Sequence, residues 1–330
     1  MSTPVRSNAV AAADRPPLSR PSADATRAVA PARPRTAPGR SRALRRSVGP
    51  WLYIAPVLAL HAFTVLIPAG RGIYYSFTDW SGIGAANFVG LENYVTLAQD
   101  ESFRQALLNN VKWLIFFWTV PFAFAIGAAF LMSQVRRGAT LYRLSYFIPY
   151  VLPSVVVASL WQYLLDPDKG LPSVLRSLGV PFFDKALLGT EATALWTVAF
   201  IDNWHYWGFL AVILLVAMQN VPRELYEAAR LDGANRWQQL INVTVPEIRP
   251  TLLFMFMMTG IWSFLVFDYV WVLTQGGPAG SSEVLGTLVY RTAFTEFSAG
   301  LAAAQGVSMA LFASLVVGFF LILRRRGWEI

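Results

Sequence analysis

Cysteine is absent from the 330-residue sequence, and charged residues make up only 14% of it. Without cysteine the chain has no disulfide framework, no thiolate zinc site and no cysteine nucleophile. Soluble domains carry about a quarter charged residues, so this scarcity points away from a soluble fold. Together with 55% hydrophobic residues and a mean hydropathy of +0.45, it indicates a chain embedded in lipid.

Two motifs that would carry chemistry are also missing. The only two histidines, His61 and His205, are far apart, and neither an H-E-x-x-H nor an EF-hand pattern occurs, so no metal site is predicted. No G-x-x-x-x-G-K-[ST] sequence is present, which excludes a phosphate-cradling loop of that type. We therefore predict no cofactor and no ATP chemistry within this chain.

The net charge of +8 is concentrated at the start of the chain. Ten of the 27 lysines and arginines lie in the first fifty residues, and residues 1–49 contain no aromatic side chain. A segment of this composition buries too little apolar area to offset its ordering entropy, which predicts a disordered cytoplasmic tail. Its Arg- and Ser-rich start is also compatible with an organelle transit peptide. No folded domain carries a basic face, so nucleic acid is not an expected partner.

Apolar stretches of membrane length fill the rest of the sequence, and each reaches the roughly 20 residues that a helix needs to cross a bilayer. They predict an all-α, polytopic membrane protein with six transmembrane helices. Prolines inside them, such as Pro56, Pro121, Pro149 and Pro153, predict kinks. The six predicted spans are approximately Trp51–Ser76, Leu107–Met132, Ser145–Leu165, Thr193–Met218, Thr251–Thr274 and Leu301–Leu323.

The basic residues predict the orientation, because lysine and arginine accumulate in cytoplasmic segments. If the tail is inside, the inner segments hold twenty of the 27 basic residues, and Arg324, Arg325 and Arg326 directly follow the last span. Both termini are therefore predicted to be cytoplasmic, in a multi-pass protein of a cell membrane.

One polar insert, at about residues 220–250, separates the fourth and fifth predicted spans. Pro222 and the acidic Glu224 suit the first turn of a short helix. Arg223 with Glu227, and Glu227 with Arg230, have the spacing of helical ion pairs.

Gly233 suits a helix C-terminal turn, and a second short helix from Asn235 to about Val243 is predicted to follow. The insert is thus expected to be a rigid knob of two helices joined at a glycine.

The spacing within this insert resembles the cytoplasmic signature of permease subunits of bacterial ATP-binding-cassette importers. That signature is Glu-Ala-Ala, three residues, Gly, nine residues, two aliphatic residues separated by one position, and Pro. The family more often has isoleucine and leucine at the two aliphatic positions. The matching residues in this sequence are Glu227, Ala228, Ala229, Gly233, Val243, Val245 and Pro246, with Asp232 and Ala234 in the adjoining Leu-Asp-Gly-Ala.

Further segments resemble the carbohydrate branch of that family, of the maltose and glycerol-3-phosphate type. They are the Gly-Gly-Pro turn within Phe267–Ser282, the Tyr290–Phe294 segment and the region around residues 300–304. The resemblance implies a type I importer permease fold with a permease domain at 50–324 and a short cytoplasmic C-terminus at 325–330. It also implies four kinds of partner: membrane lipid, a second non-identical permease, an ATP-binding-cassette ATPase dimer, and an extracytoplasmic solute-binding protein.

The resemblance further implies that the insert docks into a groove on the ATPase and couples ATP hydrolysis to transport. The residues assigned to this coupling are Glu227, Ala228, Ala229, Asp232, Gly233, Ala234 and Pro246. We expect Glu227 to fix the junction between the two helices through a hydrogen bond or an ion pair. Replacing Glu227 or Gly233 is expected to uncouple hydrolysis from transport while membrane insertion survives.

Polar residues within the spans are candidates for a translocation path, because polar groups in lipid usually face a cavity or another helix. Asn109 and Asn110 in the second span are plausible members, and His205 is more readily explained by packing. The other possible role of the whole set is hydrogen bonding between helices. The residues assigned to the substrate path are Asp202, Asn203, Tyr206, Asp268, Tyr269 and Gln162.

Two other classes of function stay open at this point. An ion-coupled secondary transporter would have paired broken or half-length spans and more intramembrane carboxylates. A membrane-embedded enzyme would need a convergent catalytic constellation, for which only the segment from Asp202 to His205 is a candidate. Neither explains the spacing from Glu227 to Pro246. The sequence does not identify the transported solute, and disaccharides, oligosaccharides, polyols and glycerol-3-phosphate all remain possible.

Overall fold

The computed structural model describes residue 51 and the ranges 53–135, 138–180 and 186–325. The predicted tail at 1–49 lies outside the described residues, and so do Arg136, Arg137 and all but the first residue of the predicted C-terminal segment 325–330. The predicted cytoplasmic location of the two termini therefore remains a prediction.

Helices account for nearly all regular structure in the described ranges, where the only extended pairing is an isolated bridge between Thr78 and Phe88. The all-α class predicted from the sequence is confirmed. The helices are α1 Tyr53–Tyr75, α2 Glu92–Gln99, α3 Glu101–Ser133, α4 Ala139–Val151, α5 Ser154–Leu164, α6 Leu171–Ser177, α7 Ala194–Gln219, α8 Arg223–Leu231, α9 Arg236–Glu247, α10 Arg249–Leu265, α11 Asp268–Leu273, α12 Leu285–Phe294 and α13 Ala299–Arg325.

Four of these helices, α1, α3, α7 and α13, are individually long and apolar enough to cross a membrane. Two bent pairs pass the same test, α4 with α5 at an angle of 94° and α9 with α10 at 73°. The predicted number of six spans is reached when each bent pair is counted as one span. Pro121 lies inside α3, which continues through it as a single helix of 33 residues.

The predicted third span, Ser145–Leu165, is not one continuous helix. It is broken at Leu152, whose extended backbone (φ −74°, ψ 143°) separates α4 from α5. Pro153 explains this break, because a proline disfavours helical geometry in the residue before it and has no N–H for the helix ladder. The predicted fifth span, Thr251–Thr274, also ends early. Its helix α10 stops at Leu265, and α11 starts only at Asp268.

The core is built around the pair α3 and α7, which pack along each other. Large side chains of α3, including Trp113 and Phe117, are fully buried, and so are Leu210 and Leu214 of α7. Helices α4 and α10 pack against this pair, while α13 packs on α10, α12 and the second half of α1. A helix with apolar residues all round is expected at such a central position, and α7 is the most buried of the four long spans.

Close approach of α4 and α7 depends on Gly208. A Cβ atom at this position would lie 1.8 Å from the backbone carbonyl oxygen of Tyr146 in α4. Because the obstacle is backbone, no side-chain rotation can relieve the collision, and only separation of the two helices would make room. Glycine at 208 therefore sets the distance between α4 and α7.

We predict that Gly208→Ala lowers the free energy of unfolding by about 2–3 kcal/mol, the upper part of the range for overpacked cores. The change would appear as a lower melting temperature of the detergent-purified protein. The matched control is Gly306→Ala in α13, where a Cβ meets nothing within 4 Å. This control should leave stability unchanged or raise it, because alanine is the better helix former. Equal melting temperatures for the two variants would contradict the prediction.

Candidate functional site

The polar insert forms the two-helix knob expected from the sequence. Helix α8 ends at Leu231, and Gly233 follows with a left-handed φ of +80°. The amide of Gly233 donates to the carbonyl of Arg230 at 3.1 Å, and the amide of Ala234 donates to that of Ala229 at 2.9 Å. These two bonds are the paired closure of a helix end that favours glycine at the left-handed position. The predicted glycine joint is confirmed.

Side chains then fix the second helix of the insert. Asn235 accepts a hydrogen bond from the amide of Gln238 at 2.9 Å, and the Gln238 side chain accepts from the amide of Asn235 at 2.8 Å. Such a reciprocal pair satisfies two amides at the start of a helix. Tyr226 of α8 and Thr244 of α9 share a hydrogen bond of 2.9 Å between their hydroxyls, which ties the two helices together.

The inner side of the insert packs onto the ends of the membrane-spanning helices. Leu240 and Thr244 are buried, and the aliphatic pair Val243 and Val245 packs against the cluster that includes Leu215 of α7. A guanidinium–amide hydrogen bond from Arg236 to Gln134, just beyond α3, adds a polar link. The insert is therefore a stiff body seated on the bundle.

The outer side of the insert exposes most of the residues assigned to coupling. Glu227, Ala228, Asp232, Gly233 and Pro246 are exposed, and Ala229 and Ala234 are half-buried. Between them, the side chain of Leu231 is 90% exposed.

The expected role of Glu227 within the insert is not supported. Its side chain makes no hydrogen bond or ion pair with any residue that the structure describes, and Arg230 instead donates to the carbonyl of Tyr226. The backbone bonds around Gly233 already close the junction, so no side chain is needed there. Glu227 is left free on the surface.

A second polar group lies inside the bundle, on α7. Asp202 and Asn203 are buried, and one carboxylate oxygen of Asp202 accepts from the indole N–H of Trp262 in α10 at 3.1 Å. The other oxygen of Asp202 makes no hydrogen bond of standard geometry, although the indole N–H of Trp113 interacts with the same carboxylate. The amide oxygen of Asn203 has no hydrogen-bond partner among the described residues. Buried polar atoms in this state are uncommon in folded proteins.

Aromatic rings surround these polar atoms. The ring of Tyr206 lies parallel to the ring of Trp262, and their centroids are 6.4 Å apart. The centroid of the Tyr150 ring is 5.9 Å from that of Tyr206. Tyr269 of α11 is buried, and the centroid of its ring is 5.9 Å from that of the His205 ring. The Tyr269 hydroxyl has no hydrogen-bond partner in the described structure. The cluster thus combines free polar atoms with aromatic faces.

Two helix breaks meet beside this cluster. Nε2 of His205 lies 3.0 Å from the carbonyl oxygen of Leu152, and a carbonyl can only accept, so the imidazole donates. The hydroxyl of Ser154 donates to the Asp268 carboxylate at 2.6 Å. Ser154 opens α5 after the first break, and Asp268 opens α11 after the second. The first contact ties the break at Leu152 to α7, and the second joins the two broken spans to each other.

The predicted path residues are therefore only partly brought together. Asp202, Asn203, Tyr206 and Tyr269 gather at the buried cluster, and Asp268 lies at the adjoining breaks. Gln162 does not join them, because its side chain is exposed on α5. Trp262 and Ser154 belong to the cluster but were not predicted. Ser154 could have been found from its place directly after Pro153, whereas no sequence signal marks Trp262.

Asn109 and Asn110 have a structural role instead of lining this cluster. The amide of Asn109 donates to the carbonyls of Ser281 and Glu283, and Asn110 bonds both the carbonyl of Ser263 and the amide of Leu285. Both asparagines are fully buried. They anchor the loop that precedes α12 to α3.

That loop contains the Gly-Gly-Pro turn, and the side chain of Glu283 lies next to this turn at Gly276. Arg291 reaches within 2.6 Å of the Glu283 carboxylate, whose other oxygen accepts from Thr287 at 2.6 Å. Burial raises the pKa of the Glu283 carboxyl, and the contacts from Thr287 and Arg291 oppose that rise. At Gly276 the backbone is left-handed (φ +85°), and a Cβ would lie 2.4 Å from this carboxylate. Only glycine fits there.

Comparisons with known proteins agree with this architecture. Residues 119–327 match the family of binding-protein-dependent transport system inner membrane components. The chain is 37% identical over 259 residues to the probable ABC transporter permease protein YurN of Bacillus subtilis, covering 77% of this chain and 88% of the relative. It is also 37% identical over 292 residues to the diacetylchitobiose uptake system permease protein NgcF of Streptomyces coelicolor, covering 83% and 82%.

A solved structure has the same fold. The crystal structure of a bacterial ABC transporter involved in the import of the acidic polysaccharide alginate contains a chain that superposes with a TM-score of 0.77. Its sequence is 23% identical, and the match covers 87% of this chain and 98% of that one. The type I importer permease fold expected from the sequence is thereby confirmed.

We predict that His205→Leu destabilises the protein by about 2 kcal/mol, because the carbonyl of Leu152 would lose its donor while remaining between helices. His205→Gln keeps an N–H donor and should recover most of the loss. Thermal unfolding of the three detergent-purified proteins measures both effects. If leucine and glutamine lower the melting temperature equally, the hydrogen bond to Leu152 is not what stabilises the break.

Proposed function

The chain belongs to the family of binding-protein-dependent transport system inner membrane components, and on this premise we propose that it is the membrane-spanning permease subunit of an ATP-driven sugar importer. The observation that carries the proposal is the exposed, glycine-jointed insert with its Glu-Ala-Ala spacing at the ends of the membrane helices. A sugar or sugar-like solute is proposed because the NgcF relative, similar over 83% of this chain, is named for diacetylchitobiose uptake.

We propose that the outer face of the insert docks on a separate ATPase subunit. A docking element must be stiff, since a flexible loop would absorb a movement instead of transmitting it. The hydrogen bonds at Gly233, Asn235 and Tyr226 supply that stiffness. The free carboxylate of Glu227 and the exposed side chain of Leu231 supply one polar and one apolar contact for the ATPase surface.

The buried cluster on α7 is the proposed solute path. Sugars offer many hydroxyl groups and apolar ring faces, so a site for them combines hydrogen-bonding atoms with aromatic rings. Asp202, Asn203 and Tyr269 carry the free polar atoms, and Tyr206 and Trp262 present aromatic faces. Asp268 lies at the edge of this path, where Ser154 occupies one of its oxygens. Gln162 is assigned to the path from the sequence only.

The remaining partners follow from the same proposal. An extracytoplasmic binding protein delivers the solute, and a second, non-identical permease completes the passage through the membrane. Large apolar side chains of α1, such as Tyr53, Val57 and Phe63, are exposed and would face lipid or that second permease. An ion-coupled secondary transporter is the alternative function.

Reconstitution separates the two functions. The chain is co-expressed with its candidate second permease and ATPase, incorporated into liposomes, and supplied with binding protein and radiolabelled disaccharide. The proposal expects uptake that requires ATP and all subunits. Uptake by this chain alone, driven by a proton or sodium gradient, would refute it.

We predict that Glu227→Lys reduces ATP-driven uptake at least about tenfold, because a reversed charge at a docking contact costs on the order of the 2 kcal/mol or more typical of disrupted charged pairs. Stability should not change, since Glu227 has no partner among the described residues. The control is Glu224→Lys, an exposed position on the same helix α8. Normal uptake in the Glu227 variant, or equal loss in both variants, would contradict a docking role for Glu227.

We also predict that Tyr269→Phe lowers the transport rate about tenfold for a hydroxyl-rich solute, as expected when one hydrogen bond of about 1.4 kcal/mol is lost along the path. Because the hydroxyl has no protein partner in the described structure, its removal should not destabilise the fold. Tyr163→Phe, at a 68% exposed tyrosine, is the matched control. An unchanged rate with the Tyr269 variant would remove this hydroxyl from the path.

A further inference from the structure

A cavity of about 340 Å³ lies between the insert and the ends of two long spans. Its walls come from the last turn of α3, the last turn of α7, and both helices of the insert. It is therefore positioned where apolar spans end and polar structure begins, at the level of a membrane–water interface. Its lining residues are Phe130, Ser133, Gln134, Met218, Gln219, Val221, Arg223, Tyr226, Arg236, Gln239, Leu240 and Thr244.

The charge of this cavity is entirely positive. Two guanidinium groups, those of Arg223 and Arg236, line it, and no carboxylate does. Arg236 donates one hydrogen bond to the neutral amide oxygen of Gln134 and has no ion pair with a residue in the described ranges. Arg223 has no ion pair or hydrogen bond with any residue in the described ranges. Guanidinium groups are the side chains best matched to phosphate oxygens, which they can bind in a bidentate manner.

The remaining lining is amphipathic. Phe130, Met218, Val221 and Leu240 form an apolar wall. The other uncharged lining residues carry hydroxyl or amide groups, among which the hydroxyls of Tyr226 and Thr244 bond each other. A purely polar anion would leave the apolar wall without a contact, whereas the phosphate and glycerol region of a lipid would cover both surfaces.

We propose that this cavity binds a phosphate-bearing anion through Arg223 and Arg236. The phosphodiester of an anionic phospholipid and inorganic phosphate share the chemistry that the two arginines recognise. A bound phosphate would join the ends of α3 and α7 to both helices of the insert, and would thereby hold the insert in place on the bundle. This inference does not depend on the transported solute.

The test uses native mass spectrometry of the full-length chain purified in detergent. Phosphatidylglycerol, phosphatidylcholine and inorganic phosphate are added as separate probes. We expect wild-type protein to retain phosphatidylglycerol over phosphatidylcholine, and Arg223→Gln with Arg236→Gln together to reduce that retention about tenfold. Arg230→Gln is the control, because it removes one positive charge from the same insert outside the cavity.

The three probes distinguish a phospholipid from a soluble phosphate as the bound anion. Selective retention of phosphatidylglycerol supports the lipid, and retention of inorganic phosphate without lipid preference supports a soluble anion. The variant Arg223→Lys with Arg236→Lys keeps both charges but loses the bidentate guanidinium geometry, so its retention should lie between that of wild type and that of the glutamine variant. This intermediate result guards against misfolding of the glutamine variant. Wild-type protein that retains neither probe, or a glutamine variant that retains them as well as the Arg230→Gln control does, would overturn the proposal.

Discussion

In hydrocarbon no water is available to replace a missing hydrogen bond, so every backbone N–H and C=O within a span needs a partner inside the protein. This constraint explains the interior of the molecule. Pro153 breaks the third span, and the carbonyl of Leu152 is then satisfied by His205 from the neighbouring α7. At the second break the chain passes from Leu265 to Asp268, whose carboxylate accepts from Ser154. A side chain from another helix thus satisfies the free carbonyl of the first break, and a bond between two side chains ties the second break to the first.

Much of the fold follows from patterns in the sequence that report local physics. Apolar length predicts the spans, and the order Pro222, Gly233, Pro246 predicts where the insert begins, turns and ends. What the sequence does not reveal is pairing over long distances. Asn109 and Asn110 are polar residues in a span, which suggested a path, yet they anchor a loop more than 170 residues away. Nothing local to α3 distinguishes the two roles.

The candidate site shows the same division. The Glu-Ala-Ala spacing identifies the insert, because the helix period and the glycine joint are local properties. The expected bond from Glu227 does not form with any described residue, and backbone closure of the helix end, also local, joins the two helices without it. Trp262 and Asp202 are 60 residues apart and meet only because α10 packs beside α7. A single sequence has no signal for that register.

The geometry of α10 connects the two parts of the site. This helix starts at Arg249, directly after the insert, and thirteen residues later presents Trp262 to Asp202. At 1.5 Å per residue the two points are about 20 Å apart along one uninterrupted helix. A helix transmits displacement as a rigid rod, so a tilt of the insert would shift Trp262 against Asp202. The insert joins this rod at the 73° bend between α9 and α10. The proposed docking of the insert therefore implies a mechanical link, through α10, to the buried carboxylate of Asp202.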